Sequence, residues 1–227
     1  MVKYNLMPII PLEKRLRKSI HKKIASAQDL LVESIYNFFP KTIIHGGTAI
    51  WRCYSSKRFS EDIDVYIPKE QKKEVLFEEF IDSLKDNGFI VKKFKFTNNS
   101  VFCKLERNGA EIRFEVTFKT LKNFLVKPFE AIDGTFMNVY TLSSDDLLIE
   151  KILAYKSRKK VRDLYDIWFL LNLVEDEEKI KTHIINLLKH LERPKDYKTL
   201  KALIILGPVP NVENLIEGIK TWEKRNI

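Results

Sequence analysis

Two aspartates flank a single isoleucine in the stretch "SEDIDVYI", residues 60 to 67. On an extended strand alternate residues face the same way, so Asp62 and Asp64 converge on one point while Ile63 and Val65 enter a core on the other side. Two carboxylates so placed are what Mg²⁺ or Mn²⁺ takes, with waters and phosphate oxygens completing an octahedron. A third acid, Glu115 in "AEIRFEVTF", faces away from Ile112, Phe114 and Val116 and shares its side with Glu111, Arg113 and Thr117. Glu115 can be a further metal ligand or the base for a hydroxyl. Three acids around metal ions suit in-line phosphoryl or nucleotidyl transfer.

Such chemistry also needs a seat for phosphate. In a chain with only seven glycines, Gly46 and Gly47 stand side by side between the apolar run "TIIH" and the segment "TAIWRCY". Where a strand turns into a helix, absent side chains let backbone N–H groups approach a phosphate, and the helix dipole favours its charge. Thr48 can add a hydroxyl. The spacing is neither that of a Walker loop nor that of a dinucleotide-binding fingerprint. Arg58 can bind phosphate or be solvated, and Ser60 can bond a phosphate or cap the turn.

The elements that must hold these residues are readable from periodicity. Apolar positions Leu16, Ile20, Ile24, Ala27, Leu31, Ile35 and Phe38 recur every three or four residues, predicting one long amphipathic helix over 12–39, ended by Pro40. "TIIH" and "IDVYI" read as strands, and 69–87 as a helix stopped by Asn87-Gly88. "FIVKKFKF", "SVFCKLER" and "AEIRFEVTF" alternate and are joined by turn residues, so they form a β-meander. After "TFMNVYTL" the pattern becomes helical: Ser143 to Asp146 make a cap, and helices are expected over 144–157, 161–174, 176–191, 197–205 and 211–224. The expectation is an α/β domain over 1–140 and a helical domain over 141–227.

Composition limits the setting. Forty Lys plus Arg against 31 Asp plus Glu gives a formal charge of +9 over 227 residues, which suits a polyanionic partner and equally a lysine-rich surface kept for solubility. No apolar run reaches the roughly 18 residues of a membrane span. The opening "MVKYNLMPIIPLEKRLRK" is too broken by prolines and charges for a signal peptide. Cys53 and Cys103 form no metal or redox motif, and free thiols fit a reducing compartment. A soluble cytoplasmic protein without a membrane partner is expected.

"GGTAI" followed by "RFSEDIDVYI" resembles the AbiEii/AbiGii-type toxin nucleotidyltransferases, within the DNA polymerase β-like superfamily. Downstream, "EKILAYKSR" at 150–158 and "VRDLYDIWFLL" at 161–171 are similar to that family's K-x-x-A-x-x-x-R and R-D-x-Y-D motifs. The interval between them is short, a tight basic "SRKK" loop. The resemblance implies an α+β fold: a small mixed-sheet, polymerase β-like core flanked by helices, then a C-terminal helical bundle. It implies NTP as substrate, with Gly46, Gly47, Thr48, Arg58, Ser60, Lys151 and Arg158 around the nucleotide and Asp62, Asp64 and Glu115 around Mg²⁺ or Mn²⁺. Lys151, otherwise an ordinary solvent-facing helix lysine, would then neutralise phosphate, with Asp163 the acid of the active centre rather than its i+3 neighbour Asp166.

The function implied is transfer of a nucleoside monophosphate to a hydroxyl of RNA, a tRNA 3′ end above all, or of a protein, by the toxin of a toxin–antitoxin (abortive infection) system with a cognate antitoxin. Two other classes remain open. A non-catalytic nucleic-acid or partner-binding protein of the same fold has no reason to keep three mutually repelling acids. A small-molecule enzyme of the aminoglycoside-modifying type calls for an acidic substrate pocket. His45 is the histidine nearest the proposed site, and without partners at metal-ligand spacing it is given no catalytic role.

Overall fold

The computed structural model describes residues 10–226; the first nine residues, part of the opening segment discussed above, and the last lie outside the described residues. Seven strands form one mixed sheet in the order β3-β4-β5-β2-β1-β7-β6. They are β1 (Ile43–His45), β2 (Ile63–Ile67), β3 (Ile90–Phe96), β4 (Ser100–Arg107), β5 (Ala110–Phe118), β6 (Leu125–Glu130) and β7 (Phe136–Thr141). The helices are α1 (Leu12–Arg15), α2 (Ser19–Phe38), α3 (Gly46–Cys53), α4 (Glu74–Asp86), α5 (Ser144–Arg158), α6 (Val161–Leu170), α7 (Glu177–Lys189), α8 (Leu200–Leu203) and α9 (Val212–Asn226). Among the described residues no helix is long and apolar enough to cross a membrane.

The central strands carry the argument. In β2 Ile63, Val65 and Ile67 are fully buried, and in β5 burial alternates strictly along nine residues. The covered face rests on α2 and α4 through an aromatic cluster, in which Phe39 stacks on Phe77 at 4.5 Å and Phe80 meets Phe114 at 5.8 Å. Because the strand period is two, that packing fixes which residues face the other way. β2 and β5 pair in parallel, and Asp64 lies level with Glu115. On the other side of β2, β1 runs antiparallel and brings His45 level with Asp64.

Two expectations about elements are corrected. The helix expected over 12–39 is two: Leu16 is extended, with φ −81° and ψ 115°, and ends α1. A tertiary contact overrides the periodicity, since Glu13 N–H donates to the Ile132 carbonyl at 2.8 Å and Arg15 pairs with Glu130, drawing α1 onto the β6–β7 turn. Ile20, on the expected apolar stripe, is exposed. The second correction is β6 and β7, which had not been expected as strands. β6 is an edge, where Pro128 is tolerated because one side of the strand needs no ladder donors, and its alternation is weak. The cap before α5 is as expected: Ser143 Oγ accepts from Asp146 N–H at 3.1 Å.

Candidate active site

β1 passes directly into α3, and the turn is made of the two glycines. Gly46 sits at φ +70°, a left-handed conformation, and a Cβ there would come within 2.5 Å of Asp64 Oδ2. At Gly47 a Cβ would meet Arg58 Nη2 and Ser60 Oγ, each at 2.6 Å. The glycine pair therefore lets the start of α3 lie against the aspartate strand, with the helix N-terminus beside the carboxylates.

The pocket at this junction is lined by Gly47, Arg58, Ser60, Asp62, Asp64, Arg113, Glu115, Lys151, Arg158 and Arg162. One wall is acidic. Asp64 is held above the usual carboxylate range, first by burial and then by Asp62, against the pull of His45, Lys151 and Arg158. Glu115 is raised too, by burial and then by Asp64 and Asp62. Asp64 and Glu115 stand level on neighbouring strands, and the like charges oppose one another, which a cation relieves.

The opposite wall, from α5 and α6, is basic over a buried acid layer. Asp166 is fully buried and accepts from Arg58 Nε at 2.6 Å and Nη2 at 2.8 Å, while Lys151 Nζ stands 2.9 Å from its Oδ2. Burial alone would raise Asp166, but Arg58 and Lys151 outweigh it and hold the carboxyl low. Asp163, also fully buried, takes Arg158 with both oxygens at 2.7 Å and has Lys151 3.6 Å away. The two aspartates expected to compete for one role thus divide the cations: Asp166 orients Arg58 and Lys151, and Asp163 orients Arg158.

Several expectations are refined by these contacts. Thr48 is fully buried and its hydroxyl donates to the Asp62 carbonyl, so it fixes the aspartate strand instead of facing the pocket. Arg58 is neither solvated nor free: its remaining Nη1 donates to the Phe59 carbonyl at 2.9 Å. Gly46 opens onto an adjoining pocket with His45, Tyr66, Glu150, Leu153 and Ala154, which shares Asp64, Lys151 and Arg158 with the first. Leu153 is 58% exposed there. His45 has partners that sequence spacing did not show: its ring stacks on Tyr66 at 3.9 Å, and Glu150 joins His45 Nδ1 at 3.1 Å and the Tyr66 hydroxyl at 2.7 Å. Arg113 was also missed as a site residue, and its signal was its place two residues before Glu115 on the same face.

The acids fit a divalent ion in kind, being hard oxygen donors. Among the described residues no three His, Cys, Asp or Glu side chains form a ready metal cage. Asp62 instead gives both oxygens to Arg113, at 2.9 and 2.6 Å.

Residues 29–210 match the family model described as nucleotidyl transferase AbiEii toxin, type IV toxin–antitoxin system. The chain belongs to the AbiEii nucleotidyltransferase toxin family. It is therefore a nucleotidyltransferase of the toxin type. Among curated proteins none matches its sequence. Its fold is similar to that of JHP933 from Helicobacter pylori, with a TM-score of 0.62 at 19% identity over 89% of this chain and 91% of that one. It is also similar to the nucleotidyltransferase toxin MenT4 from Mycobacterium tuberculosis H37Rv, with a TM-score of 0.61 at 15% identity over 91% of this chain and 84% of that one. The α+β class expected from the sequence is thus the one observed, with the candidate site at the C-terminal end of β1, where the chain turns into the "GGTAI" helix α3, and beside the DxD strand β2.

Proposed function

We propose that this AbiEii-family chain transfers a nucleoside monophosphate from an NTP to a hydroxyl of RNA, a tRNA 3′ end in the first place, with release of pyrophosphate. The observation that carries this reading is the opposition of two walls in one pocket, the acids Asp62, Asp64 and Glu115 facing Lys151, Arg158 and Arg162 at the N-terminus of α3. The triphosphate lies against the backbone of Gly47 and the Ser60 hydroxyl, where the helix end and the cations of α5 and α6 neutralise it. Asp62 and Asp64 would hold Mg²⁺ or Mn²⁺, which when bound supplies positive charge at the phosphorus under attack. Glu115, whose proton affinity is raised by burial and by its acidic neighbours, accepts the proton of the attacking hydroxyl. Lys151 and Arg158, pinned by buried aspartates, hold the leaving phosphates without reorganisation. A cognate antitoxin is the partner that family membership implies.

A protein hydroxyl is the second acceptor. An aminoglycoside-type substrate is the weaker reading, because a polycation would meet Arg113, Arg158 and Arg162 in the pocket's lining. The test is incubation of the purified chain with each α-labelled NTP, Mg²⁺ or Mn²⁺ and total tRNA, beside Asp62→Ala/Asp64→Ala. Label entering RNA only with the intact acids is expected. Label on the protein alone would move the acceptor to a side chain, and none at all with any nucleotide would overturn the reading.

A further inference from the structure

The β2–β5 ladder places two charge pairs side by side, and they are opposite in kind. Asp64 lies level with Glu115, acid against acid; one step earlier Ile63 lies level with Phe114, so the next pair outward is Asp62 with Arg113. That pair is closed in two-pronged form, Arg113 Nε to Asp62 Oδ1 and Nη2 to Oδ2. Its guanidinium thereby stands where one of the site's acids would meet a cation. On its other flank Arg113 lies level with Lys104 of β4, which is itself tied to Glu111 at 2.8 Å. The carboxylate on that side, Glu111, is thus engaged by Lys104.

Exposure argues against a merely structural bond. The Arg113 side chain is 44% exposed, and half-exposed pairs hold folds together weakly. The carboxylate distinguishes this pair from the ion layer of α5 and α6: Asp62 is 17% exposed and lines the pocket, whereas Asp163 and Asp166 are fully buried beneath their cations.

We infer that Arg113 is the resting counter-ion of Asp62, displaced when a divalent cation binds and then turned onto the triphosphate. The inference rests on the metal-dependent reading above. It makes Arg113 work in opposite directions on two ligands. Without nucleotide, it competes with the ion for Asp62, two cations being mutually repelled across one carboxylate. With nucleotide, the released fork matches phosphate oxygens as it matches carboxylate oxygens. A structural residue would weaken both ligands or neither.

The experiment uses the full chain and two probes. Mn²⁺ alone is titrated by the loss of the free-ion paramagnetic resonance signal, and inorganic tripolyphosphate is titrated calorimetrically in saturating Mn²⁺. For Arg113→Gln, Mn²⁺ should bind about tenfold more tightly, the effect of removing one cation a few ångströms away. The Mn²⁺–tripolyphosphate complex should bind about tenfold more weakly, the loss of one charge-assisted fork. Arg113→Lys keeps the charge without the fork and should shift both affinities less, in the same directions; it serves as well if the glutamine variant does not fold. Unchanged or weaker Mn²⁺ binding in the variants, with the wild type binding Mn²⁺, overturns the inference and leaves the metal-dependent reading standing. Tighter Mn²⁺ with unchanged tripolyphosphate overturns the handover. If neither protein takes up Mn²⁺, the metal-dependent reading falls and the inference falls with it.

Discussion

Two groups of charges face each other across one pocket and solve opposite problems. On α6, Asp163 and Asp166 are fully buried and each is matched by cations. On the strands, Asp64 and Glu115 sit level with each other and both are pushed up by burial and by neighbouring acids. The matched layer holds Lys151 and Arg158 in place before any substrate arrives. The strand acids, when ionised, are a local cost that a cationic ligand removes. One pocket thus contains both a scaffold that folding completes and a site that binding completes, and substitutions should tell them apart.

The largest effect on stability is expected at Asp166. Replacing it by alanine leaves Arg58 buried without its carboxylate and Lys151 with Asp163 alone, 3.6 Å away, which should cost about 3–5 kcal/mol, seen as a lowered midpoint in urea or thermal melts. Next comes Asp64→Asn, expected to reduce nucleotidyl transfer by about 10²–10³, the scale for loss of one preorganised electrostatic group, while the melting temperature stays level or rises. A fall in stability at Asp64 comparable to that at Asp166 would erase the contrast between the walls. Gly46→Ala falls between the two classes. A side chain at φ +70° that also meets Asp64 Oδ2 at 2.5 Å adds strain of about 1–3 kcal/mol, and because the relief moves Asp64, transfer should drop by more than the melting temperature suggests.

How much of this was legible in the sequence depends on whether the cause is local. Asp62, Asp64 and the glycine turn announce themselves because strand period and turn chemistry are properties of adjacent residues. Glu115 follows from the alternation of β5. The partition of cations between Asp163 and Asp166 does not, since Arg58 reaches Asp166 across more than a hundred residues and no periodicity carries that distance. Thr48 was read as a phosphate ligand because hydroxyls after a glycine turn serve that purpose; its burial under the Asp62 carbonyl is tertiary. The break between α1 and α2 and the strand at Pro128 fail for the same reason, the docking of each on the other being invisible to either segment alone. Arg113 was placed on the correct face but its partner lies on a neighbouring strand.

The smallest effect is also the most diagnostic, because the two walls must respond to pH with opposite sign. Asp166 is held low by Arg58 and Lys151 despite its burial. Its contribution to stability is therefore present above the pKa of an unfolded aspartate, about 3.9, and is lost as pH falls through its depressed folded value. Asp64 and Glu115 are raised in the folded chain, so their contribution is full below the unfolded carboxylate values and is lost as pH rises through the folded ones. At neutral pH their ionised forms oppose folding, and Asp64→Asn or Glu115→Gln should raise the melting temperature there, with the advantage vanishing on acidification toward pH 4. Asp166→Asn should behave in reverse, its deficit largest at neutral pH and shrinking only in stronger acid. Melting curves of these variants across that range, in chelator so that no divalent ion relieves the strand acids, decide the matter. If both sets of variants moved the same way with pH, the pocket would be one uniform charge network, and the division into a positioning layer and a binding wall would have to be abandoned.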